Sequence, residues 1–283
     1  MSETAAGTLF LVATPIGNLE DISLRALRVL READLLAAED TRHTATLLRH
    51  FDIRRPVTSL HEHNESAKTP TLVERLRAGA RIALVTDAGT PSVSDPGYRL
   101  VRAAIDAGVR VEAIPGASAV LAALVSSGLP TDAFVFAGFP PPKTAARRAW
   151  LESIRADRRT LVFFEAPHRI RETLADAVDV LGDRQAALGR ELTKLHEEIL
   201  RGTLSAVLAR LGEPRGEFTV VVAGQAEAEG DAVSQVDDGQ LLTEFGRLTE
   251  NGRTRREAIG QLARKHALRS RDVFAALDRA RRS

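Results

Sequence analysis

The stretch VTDAGTPSVSDPG, from Val85 to Gly97, constrains this chain more than any other. It follows Arg81-Ile82-Ala83-Leu84-Val85, a short apolar run that reads as a buried strand. Asp95 before Pro96 reads as a helix N-cap with proline at the first helical position. Leu100, Val101, Ala104 and Ile105 then supply the apolar face of a helix. A long loop of Gly, Thr, Pro, Ser and Asp between strand and helix points to an α/β fold. In open α/β sheets, loops at the carboxyl ends of strands bind ligands. An ordinary strand-to-helix connection is the competing reading.

The same alternation recurs on both sides. Thr8 to Ala13 reads as a central strand and runs into TPIGNLEDIS (Thr14 to Ser23), ahead of a helix with Leu24, Leu27 and Leu30 on one face. Leu35 to Ala38 is a short strand ending in Glu39-Asp40-Thr41-Arg42-His43. Those polar groups can build a site, or Asp40 or Thr41 can simply cap the following helix. Ser59 to Glu65 forms a dense polar cluster before a helix expected to be capped by Thr69 and Pro70. Its two histidines lack H-E-x-x-H spacing, and cysteine is absent, so no metal is expected. A ligand-contacting loop and a solvated loop both fit. Val109 to Ile114 is a further strand, followed by Pro115-Gly116-Ala117-Ser118-Ala119. That turn either brings backbone N–H groups and small side chains to a ligand or merely packs a helix tightly. Neither G-x-G-x-x-G nor G-x-x-x-x-G-K-[ST] occurs, so two common phosphate cradles lose their support.

Ala133 to Phe139 opens a second α/β half. Its strands are expected at Arg159 to Phe164, Gln185 to Gly189 and Glu217 to Ala223. At 283 residues the chain has room for two compact domains, or one large one with an appendage. The net charge of +1 conceals an asymmetry. Charges from Glu227 to Asp238 are all acidic, whereas from Arg253 to Arg282 they are mostly Arg and Lys, as for an acidic linker before a basic tail. Two tail helices are expected. Thr254 and Glu257 form a capping box for the first, and Ser270 caps the second with Val273, Phe274 and Leu277 inward. Arg255, Arg256, Arg264, Lys265, Arg269 and Arg271 make this tail either a phosphate-binding module or a solvated face. No apolar run approaches bilayer length, and Met1-Ser2-Glu3-Thr4 lacks the order of a secretion signal, so a cytoplasmic protein with no membrane partner is expected.

Collected in order, the loops carry a resemblance. VATPIGNLEDIS (Val12 to Ser23), AEDTRH (Ala38 to His43), HEHNE (His61 to Glu65), TDAGTPSVSDPG (Thr86 to Gly97), IPGASA (Ile114 to Ala119), FEAPHR (Phe164 to Arg169), RELTKLHEE (Arg190 to Glu198) and EFTVVVAG (Glu217 to Gly224) are similar to motifs of one group. It is the bacterial small-subunit ribosomal RNA cytidine 2′-O-ribose methyltransferases of the tetrapyrrole methylase superfamily. The resemblance spans roughly residues 8–224, and the tail resembles that group's helical C-terminal domain. It implies two α/β domains with S-adenosylmethionine in the cleft between them, plus a small helical domain, in a homodimer. The boundaries are drawn at 1–117, 118–225, 226–240 for the linker and 241–283. The implied substrate is a cytidine in the decoding region of 16S ribosomal RNA, in the small subunit. Where the superfamily has a G-D-P loop, this chain has Gly89-Thr90-Pro91, so Thr replaces the acid. By similarity Val93, Ser118 and Ala119 line the adenosine and methionine pocket, and Phe164, Glu165 and Thr219 contribute from the second domain.

Methyl transfer from a sulfonium donor to a ribose hydroxyl needs orientation and an acceptor for the departing proton. Asp40, His63 and Glu65 are the candidate acceptors, and Arg42 and Arg169 are placed to hold phosphate. The rival readings are methylation of a tetrapyrrole such as a corrin precursor, and a non-catalytic RNA-binding adaptor. The basic tail and the HEHNE loop argue against the first.

Overall fold

The computed structural model describes residues 7–226, 238–266 and 270–280. The chain divides into two compact units, Met1–Gly224 and Gln225–Ser283.

The first unit begins with β1 (Thr8–Val12), α1 (Leu24–Glu32), β2 (Leu35–Ala38), α2 (Thr41–His50), β3 (Val57–Ser59), α3 (Glu62–Arg77), β4 (Arg81–Val85), α4 (Tyr98–Asp106) and β5 (Arg110–Ile114). The five strands form a wholly parallel sheet in the order β3-β2-β4-β1-β5. Its central strands β2, β4 and β1 are apolar on both faces because helices cover both. Phe10, Val12, Leu36 and Ala83 pack with Ala26, Val29 and Leu30 of α1, while Leu9, Leu35, Ile82 and Leu84 pack with residues of α3 and α4. Alternate residues of each strand therefore serve opposite cores.

The unit continues through α5 (Ala119–Ser127), β6 (Phe134–Phe136), α6 (Thr144–Ile154), β7 (Thr160–Glu165), α7 (Ile170–Leu181), β8 (Gln185–Arg190), β9 (Glu198–Thr203), α8 (Leu204–Arg210) and β10 (Phe218–Val222). The second sheet runs β6-β7-β10-β8-β9, parallel only at β6–β7. Helix α5 lays Val120, Ala123 and Leu124 on Val162, Ala187 and Val221, and Ile16 from the loop after β1 joins the same cluster. That cluster ties the two sheets together.

β3, β9 and the start of α3 are among the departures from the sequence expectation. β3 and β9 are sheet edges with little fully buried apolar surface, so neither carries a strong apolar signal. Helix α3 starts at Glu62 and runs through Thr69 and Pro70 instead of starting there. His61 caps it with Asn64, whose side chain accepts from the His61 N–H at 2.9 Å. The Thr69 hydroxyl donates to the Glu65 carbonyl at 2.8 Å.

The second unit is a three-helix module of α9 (Asp238–Glu250), α10 (Arg255–Lys265) and α11 (Ser270–Ala280). Leu241, Phe245, Ala258, Leu262, Val273 and Leu277 form its core. Thr254 and Glu257 make the expected capping box. Helix α9 was not anticipated, and Phe274, expected inward, is 47% exposed. Most of the acidic stretch, residues 227–237, lies outside the described residues, as does Arg269.

Candidate active site

The focal loop leaves β4 under tight backbone control. Thr14 and Gly89 exchange two backbone hydrogen bonds, at 2.8 and 3.1 Å, and the buried Thr14 hydroxyl donates to the Thr86 carbonyl at 3.1 Å. The loops after β1 and β4 are thereby zipped together. Further along, Ser92 and Ser94 both hold left-handed conformations, with φ of 69° and 63°. Such a conformation costs a non-glycine residue on the order of 1–3 kcal/mol and persists only where its surroundings impose it. Gly97 has φ 127°, and a Cβ there would come within 2.6 Å of Leu84 Cδ2, so this position accepts only glycine.

The cap of α4 differs from the sequence expectation. Its N-cap is Gly97, not Asp95, and the side chain that satisfies its orphan donors comes from α3. One carboxylate oxygen of buried Glu65 accepts the N–H groups of Gly97, Arg99 and Leu100 at 3.1, 2.8 and 3.3 Å. A carboxylate against the first turn also meets the positive end of the helix dipole. This releases Asp95 from capping and turns it toward a cavity.

That cavity, of about 410 Å³, lies between the carboxyl ends of the first sheet and the second sheet. It falls within the roughly 300–1,000 Å³ typical of small-molecule sites. Gly89, Thr90, Val93, Ser94 and Asp95 line it from the focal loop, and Ser118, Ala119 and Val120 from the start of α5. Ser118 caps α5, accepting from the Leu121 N–H at 3.5 Å. Phe164, Glu165, Ala166 and Pro167 approach from β7, and Gly216 to Thr219 from β10. The pairing of Thr219 with Phe164 and of Phe218 with Glu165 brings those two segments together. Phe139 completes an aromatic wall, 5.4 Å from Phe164, which also packs on Phe136 at 4.9 Å.

Eight of the nine residues expected at the cofactor line this one cavity: Gly89, Thr90, Val93, Ser118, Ala119, Phe164, Glu165 and Thr219. Pro91 is buried in the same loop but does not line it. Small residues, an aromatic wall, the opening turn of a helix and the carboxyl groups of Asp95, Glu165 and Glu217 suit a flat ring on a polar, cationic tail. S-adenosylmethionine has that shape and charge.

None of the three candidate proton acceptors lines the cavity. Asp40 caps α2, and hydrogen bonds from the Arg42 guanidinium and backbone hold its pKa down at about 2. Such a carboxylate accepts protons poorly at neutral pH. Arg42 is thus engaged with Asp40, though otherwise exposed. His63 is exposed on the first turn of α3, and Glu65 is occupied by α4. Arg169 pairs with Glu165 at 2.7 Å and is largely buried. Glu165 itself is filled, accepting also from the Ala166 N–H at 2.7 Å and the Thr173 hydroxyl at 2.5 Å.

Like Glu217, Asp95 is an acid that the sequence reading missed at this site. It lines the cavity, half-buried, and burial pushes its pKa up to about 6 against a hydrogen bond from Thr86, with Glu39 and Asp87 adding repulsion. Asp87 is also raised, chiefly by burial, while its carboxylate accepts the Asp40 N–H at 3.1 Å. The D-P-G order invited a capping assignment. The signal against it was Gly97, which must itself stand outside the helix if its φ is positive.

In the helical unit, Arg255 stacks its guanidinium 5.2 Å from the Phe274 ring, and with Arg256, Ile259 and Ser270 they line a notch. Lys265 instead reaches Glu244 of α9 at 2.9 Å, beside His266 at 2.8 Å on the same carboxylate. Arg264 is exposed on α10, and Arg271 falls on α11.

Comparison with known proteins places this architecture. The family model for tetrapyrrole (corrin/porphyrin) methylases matches residues 8–208. The ribosomal RNA small subunit methyltransferase I of Synechocystis sp. is 47% identical over 271 residues, covering 95% of this chain and 96% of that protein. Its namesake from Halalkalibacterium halodurans is 46% identical over 273 residues, covering 95% and 93%. That of Micromonospora olivasterospora is 54% identical over 232 residues, covering 81% and 74%. Among solved structures, a uroporphyrin-III-C-methyltransferase from Thermus thermophilus has a TM-score of 0.52 at 24% identity, covering 76% of this chain and 91% of that one. A diphthine synthase has a TM-score of 0.58 at 19% identity, covering 78% and 91%. These two likenesses bear on the fold alone.

Proposed function

Because the chain belongs to the tetrapyrrole (corrin/porphyrin) methylase family, alongside the proteins named ribosomal RNA small subunit methyltransferase I, we propose that it methylates 16S ribosomal RNA from S-adenosylmethionine. The acceptor is the 2′-hydroxyl of a cytidine ribose in the decoding region, within the small subunit, in the cytoplasm. The observation that carries the reading is convergence: motifs far apart in the chain, on both sheets, line one cavity.

S-adenosylmethionine, when bound, supplies an electrophilic methyl group on a sulfonium sulfur. The chain's own part is to hold donor and hydroxyl in line and to exclude water. Phe164 and Phe139 offer a flat apolar wall, and Gly89, Ser118 and Ala119 permit close approach. The helical unit suits RNA that is locally unstacked. Phe274 offers a ring to a base, and Arg255 and Arg256 offer charge to phosphates. Leu121 and Val125, one turn apart on α5, are 51% and 72% exposed, an apolar stripe that supports a homodimer. Among the described residues no helix is long and apolar enough to cross a membrane.

The test is transfer of labelled methyl from S-adenosylmethionine to immature small ribosomal subunits, followed by mapping of the modified sugar. Transfer to a corrinoid but not to RNA would replace this reading with the tetrapyrrole one. Failure to bind the donor in calorimetry would leave the adaptor.

A further inference from the structure

We propose that the strap of residues 138–143, which leads from β6 into α6, is the platform for the acceptor strand. Phe139 stacks on the base of the nucleotide being methylated, and Lys143 takes a neighbouring phosphate. The inference rests on the RNA-methylation reading above and names the part of that site that meets the substrate.

Phe139 belongs to the cavity and to the surface at once. It lines the cavity beside Phe164, with ring centroids 5.4 Å apart, yet it is 52% exposed, whereas Phe136 and Phe164 are half-buried. The side turned to Phe164 completes the cavity wall, and the uncovered side leaves apolar area that a flat ligand can cover. One exposed ring means little by itself. What sets this one apart is how firmly its backbone is held.

Phe139, Pro140 and Pro141 each precede a proline, which keeps them out of the helical region, and each proline fixes its own φ at about −65°. Gly138 opens the strap at φ 67°, and its carbonyl accepts the Phe164 N–H at 2.9 Å. Ser94 Oγ of the focal loop lies 3.9 Å from the place a Cβ would take at Gly138, so the strap starts against a residue that lines the cavity from the first sheet. At its other end Pro140 is buried, and the guanidinium of Arg147, 1% exposed, donates to the Pro142 carbonyl at 3.5 Å and to the Thr144 hydroxyl at 3.4 Å. Asp176 accepts from Arg147 Nε at 2.7 Å and keeps that buried cation in place. A ring held this way loses little freedom on meeting a base, so more of the stacking energy appears as affinity. Lys143 ends the strap, exposed, and among the described residues no hydrogen bond or ion pair engages its ammonium.

The chemistry of the acceptor decides where its base must go. The 2′-hydroxyl and the base sit on neighbouring ribose carbons. A hydroxyl brought to a methyl group inside the cavity therefore leaves the base at the cavity's edge, within reach of a ring that lines it. Unstacked RNA is held by stacking its splayed bases on aromatic rings, with its phosphates met by cations. Stacking accepts any base, so the strap positions the nucleotide and does not select cytidine.

The experiment measures, for the full chain, affinity for small ribosomal subunits by filter binding, single-turnover methyl transfer to them, and donor affinity by calorimetry. Phe139→Ala is expected to weaken subunit affinity and transfer roughly 5–150-fold and to change donor Kd less than about threefold. Phe139→Tyr, which keeps the ring, should recover most of that loss, and Phe139→Leu, which keeps bulk without the ring, should not. Lys143→Gln should reduce the slope of log affinity against log salt by about 0.7, the share of one phosphate on a single strand. A leucine that serves as well as phenylalanine overturns the stacking role. So does a Phe139→Ala chain that loses donor affinity as much as transfer, since the ring would then belong to the donor alone. An unchanged salt slope overturns the phosphate contact. A wild type that binds subunits but moves no methyl to them overturns the proposed function, and the subunit affinities of the Phe139 variants then still decide the platform.

Discussion

Asp95 and Glu165 are two carboxyl groups on the same cavity, one from each sheet, and their surroundings are opposite. Glu165 is 2% exposed and fully partnered by a backbone N–H, a threonine hydroxyl and a guanidinium. Asp95 is half-buried, with a shared hydroxyl and acidic neighbours. The lesson is that burial alone does not decide how a carboxyl group is held. A saturated carboxylate fixes the loop around it, whereas an under-served one is disfavoured in its ionised form.

The largest effect expected from breaking that contrast is at Glu165. Glu165→Ala strands the Arg169 guanidinium in the interior and should cost about 3–5 kcal/mol, read as a drop in denaturant midpoint. Next comes the loop that presents Asp95. Gly97→Ala forces a Cβ against Leu84 in a left-handed backbone, and roughly 2 kcal/mol of stability should be lost together with donor binding. For Asp95→Asn the sign reverses. Because the folded pKa is raised to about 6 from the usual 3.8, the native state binds more protons than the unfolded chain between those values. Ionised Asp95 therefore costs stability, fully so above pH 6. Asparagine should raise Tm at pH 8 by the equivalent of about 1 kcal/mol, after discounting for the exposed edge, and the gain should vanish near pH 4. The remaining effect lies in the helical unit and is read in binding instead of stability. Phe274→Ala should weaken RNA binding about tenfold and leave donor affinity alone, since base–aromatic stacking contributes about 1–3 kcal/mol. Equal loss of both would make that unit a structural prop.

How far the sequence disclosed this contrast depends on the range of the interaction. The strands of the first sheet, Thr8 to Val12 and Arg81 to Val85, carry unbroken apolar runs and are legible locally. So is the Thr254–Glu257 capping box, closed within one turn. The expected cofactor residues were legible only as loops of unusual composition, joined by a family resemblance, because their convergence depends on strand order. Glu65 could not be read correctly from its neighbours. It serves backbone groups 32 to 35 positions away, and the same fact misassigned Asp95. Phe139 was hidden likewise, as a loop residue beyond β6 whose partner, Phe164, sits on another strand.

The reach of Glu65 into α4 also bears on how such enzymes can be re-engineered. Anyone exchanging the Thr86–Gly97 segment for a relative's version, in hope of a new acceptor, would be transplanting a part whose anchor lies elsewhere. Unless the incoming glycine N–H lands on the Glu65 carboxylate that already holds the Arg99 and Leu100 N–H groups, the graft misdirects its acid, and the swap would be judged a failure of chemistry when it was a failure of carpentry.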